Sequence, residues 1–148
     1  MVARHPDYTV ECVSWATARD ALSSVRRAVF VVEQGVPEHL EWDEHDAQAV
    51  HALARSGDGT PIGTGRLSCD GRIGRMAVVA PWRGAGVGSA LLRTLLAEAH
   101  ARRYPSVTLH AQTQALDFYA KHGFVARGDE FMEAGIPHRE MVLTIPQR

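Results

Sequence analysis

A short apolar run that closes at a proline and gives way to spaced glycines constrains this chain more than any other feature. Ile73 to Val79 reads as a strand, Pro81 ends it, and Arg83-Gly84-Ala85-Gly86-Val87-Gly88 follows. Behind the glycines, Val87, Leu91 and Leu95 recur with Leu92, Leu96 and Ala99 as the broad stripe of an amphipathic helix. Glycines at a strand-to-helix junction allow a tight turn and leave backbone N–H groups uncovered by side chains. The helix start adds its own unpaired N–H groups and the positive end of its dipole. Together these make an anion site suited to a phosphate-bearing ligand, unless the glycines serve only as a turn.

The identity of that phosphate is narrowed by what the loop lacks. No Gly-Lys-Ser/Thr follows, so it is not a Walker A loop, and the G-x-G-x-G spacing misses the G-x-G-x-x-G of a dinucleotide site. Arg83, Gly86 and Gly88 directly after a strand resemble the Arg/Gln-x-x-Gly-x-Gly/Ala pyrophosphate loop of the GNAT superfamily of N-acetyltransferases. A second element agrees. A predicted strand over 106–111 is followed by Ala115, Phe118, Tyr119, Gly123 and Phe124, which resemble that family's Ala-x-x-Phe-Tyr-x-x-x-Gly-Phe element. Gly123 also reads by itself as a helix C-cap. In the N-terminal half, Arg27 to Pro37 and Glu41 to Asp46, and later Phe131 to Met141, are similar to the ElaA/YjcF-like branch. The resemblance covers the chain from about Tyr8 onward. One departure is Gln112, which stands in a short loop where many relatives carry an Asn.

Periodicity predicts the rest of the architecture. A first strand spans 8–14, and Thr17 with Asp20 three residues on offers a helix N-cap. Leu22, Val25, Val29 and Val32 give that helix one buried face. Strands follow over 47–55, 62–69 and 72–79, with turns at Gly57-Asp58-Gly59 and Asp70-Gly71, the latter a two-residue hairpin signal. Strand 106–111, helix 114–122 and strands 124–129 and 136–145 complete the order. The expectation is an α/β (α+β) chain of one domain, 1–148, with a mixed, mostly antiparallel central sheet and flanking helices. The resemblance adds the GNAT fold, with splayed parallel strands at 73–79 and 106–111.

Composition excludes several partners. At 148 residues the chain can bury a full core. Its formal charge of -1 argues against nucleic acid and against an anionic membrane surface. No apolar run approaches the ~20 residues needed to cross a bilayer, and no leader precedes Tyr8. Cys12 and Cys69 read as free thiols, which together with these absences points to a reducing cytoplasm. His39, Asp43, His45, Asp46 and His51 fit no metal-ligand spacing, so no metal is expected.

The resemblance implies a chemistry for named residues. Acetyl-CoA is the implied cosubstrate, lying in the cleft between the two parallel strands. The backbone of Met76, Ala77 and Val78 would hydrogen-bond the pantetheine arm and polarise the thioester carbonyl. Arg83, Gly84, Ala85, Gly86, Val87 and Gly88 would hold the pyrophosphate. Tyr119 occupies the family's general-acid position. His110, at the end of the strand lining the cleft, is a candidate base. Glu33, Glu133 and His138, from branch-specific segments, are candidate contacts to the amine, and the acidic run of Glu41, Asp43, Glu44 and Asp46 could attract its charge. The reading is an N-acetyltransferase acting on a small-molecule or peptide amine, with a homodimer as one option. A non-catalytic acyl-CoA-binding module is the alternative.

Overall fold

The computed structural model describes residues 2–4, 7–41 and 44–147, with the side chains of 2–4, 40 and 41 left aside. Trp42 and Asp43 therefore lie outside the described residues. Among the described residues eight strands form one sheet: β1 (Val2–Arg4), β2 (Tyr8–Val13), β3 (Val50–Ser56), β4 (Pro61–Leu67), β5 (Arg72–Val78), β6 (Ser106–Gln112), β7 (Val125–Glu133) and β8 (Ile136–Thr144). Their spatial order is β1-β2-β3-β4-β5-β6-β8-β7. Every neighbouring pair is antiparallel except β5 and β6. The GNAT arrangement expected from the sequence is the one observed.

Helix α1 (Trp15–Arg26) starts earlier than the sequence suggested. Ser14 is its N-cap and accepts from Thr17 N at 3.3 Å, so Thr17 stands in the first turn. The helix then widens into a π-helical segment, Arg27–Glu33, in which Gln34 N donates to Val29 O at 3.0 Å. Wider turns rotate later side chains off the α-helical stripe. Leu22, Val25 and Val29 are buried as the period requires, whereas Val32, on the wrong side of the widened turn, is 75% exposed. A short α2 (Glu38–Glu41) and a 3-10 turn (Glu44–Ala47) lead into β3, which begins three residues later than expected.

Helix α3 (Val87–Ala101) lies across the sheet, its Leu91, Leu92, Leu95 and Ala99 fully buried. Gly63 and Gly65 on β4 allow that close approach. A Cβ at Gly63 would stand 2.9 Å from Leu91, and one at Gly65 2.6 Å from the Met76 sulfur and 2.8 Å from Leu95. The turn at Asp70-Gly71 is where the sequence placed it, but the connection is four residues, closed by Ser68 N to Arg72 O at 2.8 Å. The helix carrying Phe118 and Tyr119 is shorter than expected, a 3-10 turn (Thr113–Ala115) and then α4 (Leu116–Ala120). Cys12 and Cys69 are both free, as read from the sequence. Among the described residues no helix is long and apolar enough to cross a membrane.

Candidate functional site

The sheet opens between its two parallel strands. Pairing joins only Arg72 to Thr108 and Ile73 to Leu109, although β5 runs on to Val78 and β6 to Gln112. A bulge in β5 accounts for the divergence. Between the pairs Thr64–Ala77 and Arg66–Gly74 the β5 chain holds one residue more than β4, and Arg75 adopts φ 52°. The Thr64 hydroxyl fixes it by donating to the Arg75 carbonyl at 3.1 Å. A bulge bends its strand and steepens the local twist, which turns the end of β5 away from β6.

The opening is a cavity of about 570 Å³. Met76 lines it from β5, His110 and Gln112 from β6, Tyr119 from α4, and Glu133 and His138 from the β7–β8 hairpin. Ala77 is instead buried, opposite Thr64 and in contact with the Val25 and Val29 side of the core. Val79 N donates to Ile62 O at 3.0 Å on the β4 side, so strand alternation turns the Val78 backbone toward the opening. There the Val78 carbonyl accepts from Arg83 Nε at 2.9 Å.

Past the end of β5 the glycine loop leads into α3; none of its residues lines the cavity itself. Gly84 and Gly86 have φ of 80° and 86°, a region costly for any residue with a Cβ, and Gly86 is the left-handed N-cap. No side chain caps this end, and the first helical bond runs from Ala90 N to Gly86 O. The preceding N–H groups of the first turn therefore remain available to an anion beside the helix dipole. Arg83, Gly84, Ala85 and Gly86 are exposed, Val87 is buried as a core anchor, and Gly88 has ordinary helical geometry. Ser89, in the first turn, bonds His122 at 3.0 Å and ties α3 to the end of the tyrosine helix.

Tyr119 is 8% exposed, wedged between Phe118 and Phe124 with ring centroids 5.0 and 5.9 Å away, both T-shaped. Its hydroxyl has no hydrogen-bond partner among the described residues, and burial pushes its pKa up to about 12. Opposite, His110 Nδ1 lies 2.9 Å from Glu133 Oε1, and His138 Nε2 lies 3.7 Å from Glu133 Oε2. Phe131 stands between the two imidazoles, T-shaped to His110 at 4.9 Å and stacked on His138 at 6.0 Å. Sequence reasoning passed over this phenylalanine, although its two-residue spacing from Glu133 on a strand puts both on one face.

The structure separates Glu33 from that group. Glu33 sits at the glycine loop, held by Arg83 in a two-pronged ion pair of 2.6 and 2.7 Å. The hydrogen bonds from Arg83 lower its pKa, outweighing the small effect of burial. The π-helical turn is the cause, because it swings the end of the segment toward the loop. Gln34, next in the chain, instead reaches Gln112 across the cavity, with amide contacts of 3.0 and 3.4 Å. This is the role the structure gives Gln112 where relatives carry Asn.

The acidic run is corrected as well. Asp46 is buried and faces no amine: it accepts from Arg26 at 2.9 and 3.1 Å and from Arg66 at 3.0 Å. Burial pushes its pKa up, yet the hydrogen bonds and charges of the two arginines more than offset this and leave it lowered. His51 Nε2 donates to the Asp46 carbonyl at 2.9 Å, and its pKa is lowered, chiefly by burial. Trp15 completes the cluster, 5.3 Å beneath the Arg26 guanidinium. Glu44, His39 and His45 are exposed, and Asp43 lies outside the described residues. Among the described residues no three His, Cys, Asp or Glu side chains gather as a metal site.

Comparisons with known proteins agree with this geometry. Residues 6–145 match the family described as the acetyltransferase (GNAT) domain. The uncharacterised N-acetyltransferase YjcF of Bacillus subtilis is 39% identical over 122 residues, covering 80% of this chain and 86% of that protein. An acyl-CoA N-acyltransferase from Pseudomonas aeruginosa has a similar structure, with TM-score 0.79 and 30% identity over 96% of this chain and 99% of its own. Escherichia coli ElaA follows with TM-score 0.78 and 29% identity over the same shares of the two chains.

Proposed function

The chain belongs to the GNAT acetyltransferase family, in the branch of ElaA and YjcF, and from that premise we propose that it transfers an acetyl group from acetyl-CoA to a primary amine by direct attack in a ternary complex. The observation that carries this reading is Tyr119, a buried ring in the wall of the cavity that the parted strands create, whose hydroxyl no described residue bonds. Core packing alone would be served equally by phenylalanine, so a phenol here points to a use for its hydroxyl. A phenol kept protonated by burial is suited to donate its proton to a departing thiolate.

The other residues take their parts around it. The glycine loop and the first turn of α3 supply main-chain N–H groups to the pyrophosphate. The Arg83–Glu33 pair braces that loop. Backbone groups of β5 at the bulge, released from pairing with β6, face the pantetheine arm and the thioester carbonyl. His110 removes the proton that an alkylammonium must lose before its nitrogen can attack. The new C–N bond then replaces the C–S bond, the sulfur takes the Tyr119 proton, and the phenolate is reprotonated from solvent.

Two measurements test the reading. Release of free CoA from acetyl-CoA against a panel of primary amines should show turnover that depends on the amine. Binding of CoA with no turnover on any amine would leave a ligand-binding module instead. Gly86→Val should abolish calorimetrically detectable CoA binding while the protein stays folded. A β-branched residue is strained at φ 86°, and its side chain would stand where the loop's N–H groups face outward. An unchanged dissociation constant would remove the phosphate from this loop.

A further inference from the structure

Glu133 and His138 entered as candidate contacts to the acceptor's amine, yet the hairpin that carries them is built around an imidazole. The β7–β8 turn is two residues long, with Ala134 and Gly135 at φ 51° and 76° between the paired Glu133 and Ile136. Two successive positive φ values make the mirror-image turn whose twist matches that of paired strands, so the register at the tip is fixed. Phe131 pairs with His138 in that register, and His138 pairs with Gln112 of β6. His138 is locked in turn, its Nδ1 donating to the Ile136 carbonyl at 2.6 Å. The hairpin thus brings Glu133 onto His110, with Phe131 closing the side of the ring.

We propose that Glu133 is a positioning residue for His110, holding its Nδ1–H so that Nε2 is the proton acceptor of the acetyl transfer. The proposal rests on the acyl-transfer reading above and deepens it. An ionised carboxylate only accepts hydrogen bonds, so the 2.9 Å contact requires the hydrogen to sit on Nδ1. That tautomer leaves the lone pair on Nε2, the nitrogen away from Glu133, and no described residue bonds it. The arrangement follows the logic of a carboxylate that orients a catalytic histidine and stabilises the imidazolium that forms. The proton balance is simple: it leaves the acceptor's ammonium, resides on His110 Nε2, and passes to solvent after the amide has formed.

His110 meets charges from every side of its setting. Glu133 approaches it from β7 and is itself near His138 of β8, while Glu140 of β8 acts on both His110 and Arg72 of β5 and is bound to Arg127 at 3.0 Å. A pH profile would blend all of these, so tautomer spectroscopy is the cleaner readout. Nitrogen-15 correlation spectra of the full-length protein should show the Nδ1–H form at His110, and Glu133→Gln should convert it to the Nε2–H form. In the amine assay Glu133→Gln should lower kcat about 10- to 100-fold while the acceptor KM and CoA affinity stay within twofold. Glu133→Asp, which keeps a carboxylate, should recover part of the loss. A raised acceptor KM with kcat retained would make Glu133 an amine ligand and overturn the proposal. So would an Nε2–H tautomer at His110 in the unaltered protein, a spectrum that needs no mutant to fold. If the protein turns over no amine at all, the acyl-transfer reading fails while the tautomer result still judges the pair.

Discussion

Tyr119→Phe is expected to lower turnover by about 100- to 10,000-fold, the usual range for losing a general acid, with folding and CoA affinity left intact. The ring is held by Phe118 and Phe124, contacts that phenylalanine keeps. The hydroxyl has no partner among the described residues, so its removal orphans no other group and should not reduce stability. Activity and stability therefore separate in this variant, which is uncommon for a buried residue. Single-turnover kinetics and a thermal melt read the two. With the phenol's pKa near 12, the donor stays protonated through neutral and mildly alkaline pH, so the loss should be pH-independent there. A drop below about threefold would return Tyr119 to the role of packing residue.

Asp46→Ala should destabilise the fold by about 3–5 kcal/mol, the range for removing one partner of a buried ion pair. The substitution takes the shared anion from between Arg26 and Arg66, both almost wholly buried, and frees the turn that holds His51. The same group predicts a pH response. Its folded pKa is lowered, so its contribution is complete above the unfolded value of about 3.9 and disappears as pH falls through the folded value. Denaturant titrations from pH 7 to pH 3 should show an acid-labile component in the unaltered protein that Asp46→Ala lacks. A loss under 1 kcal/mol at pH 7 would show that the two guanidiniums are satisfied without it.

What the sequence disclosed follows a physical pattern. The β5–loop–α3 unit was legible because glycine spacing and a period of 3.6 are local signals that tertiary packing reinforces. The tyrosine helix was recognised by its aromatic pair, although its length was overstated at both ends, since a 3-10 turn runs through Ala115 and the α-helix ends at Ala120. Arg26 was missed, yet it stands four residues after Leu22 and beside Val25, on the buried stripe; a charge there signals a buried partner. The partner, Asp46, was hidden because it comes from an irregular turn 20 residues away. Glu33 was misplaced for another reason. Nothing in its neighbourhood announces a π-helical turn, and one wider turn redirects a side chain from the cavity to the loop. The strand β7 was read too short because, apart from half-buried Ala126 and Phe131, its residues are exposed and show no alternation.

The parting of β5 and β6 amounts to placing an open sheet edge in the middle of the molecule. Such edges normally invite intrusion by other strands, and proteins usually guard them at the periphery. Here the bulge at Arg75 bends β5 away from β6, which shapes the gap as a socket for one extended guest. With the pantetheine arm seated as proposed, the small molecule becomes the missing rung of the ladder. Its binding would then count toward the cohesion of the whole sheet, by about 2.7 kcal/mol at a hundredfold excess over its dissociation constant. Coenzyme supply would in that way govern the protein's persistence as well as its rate.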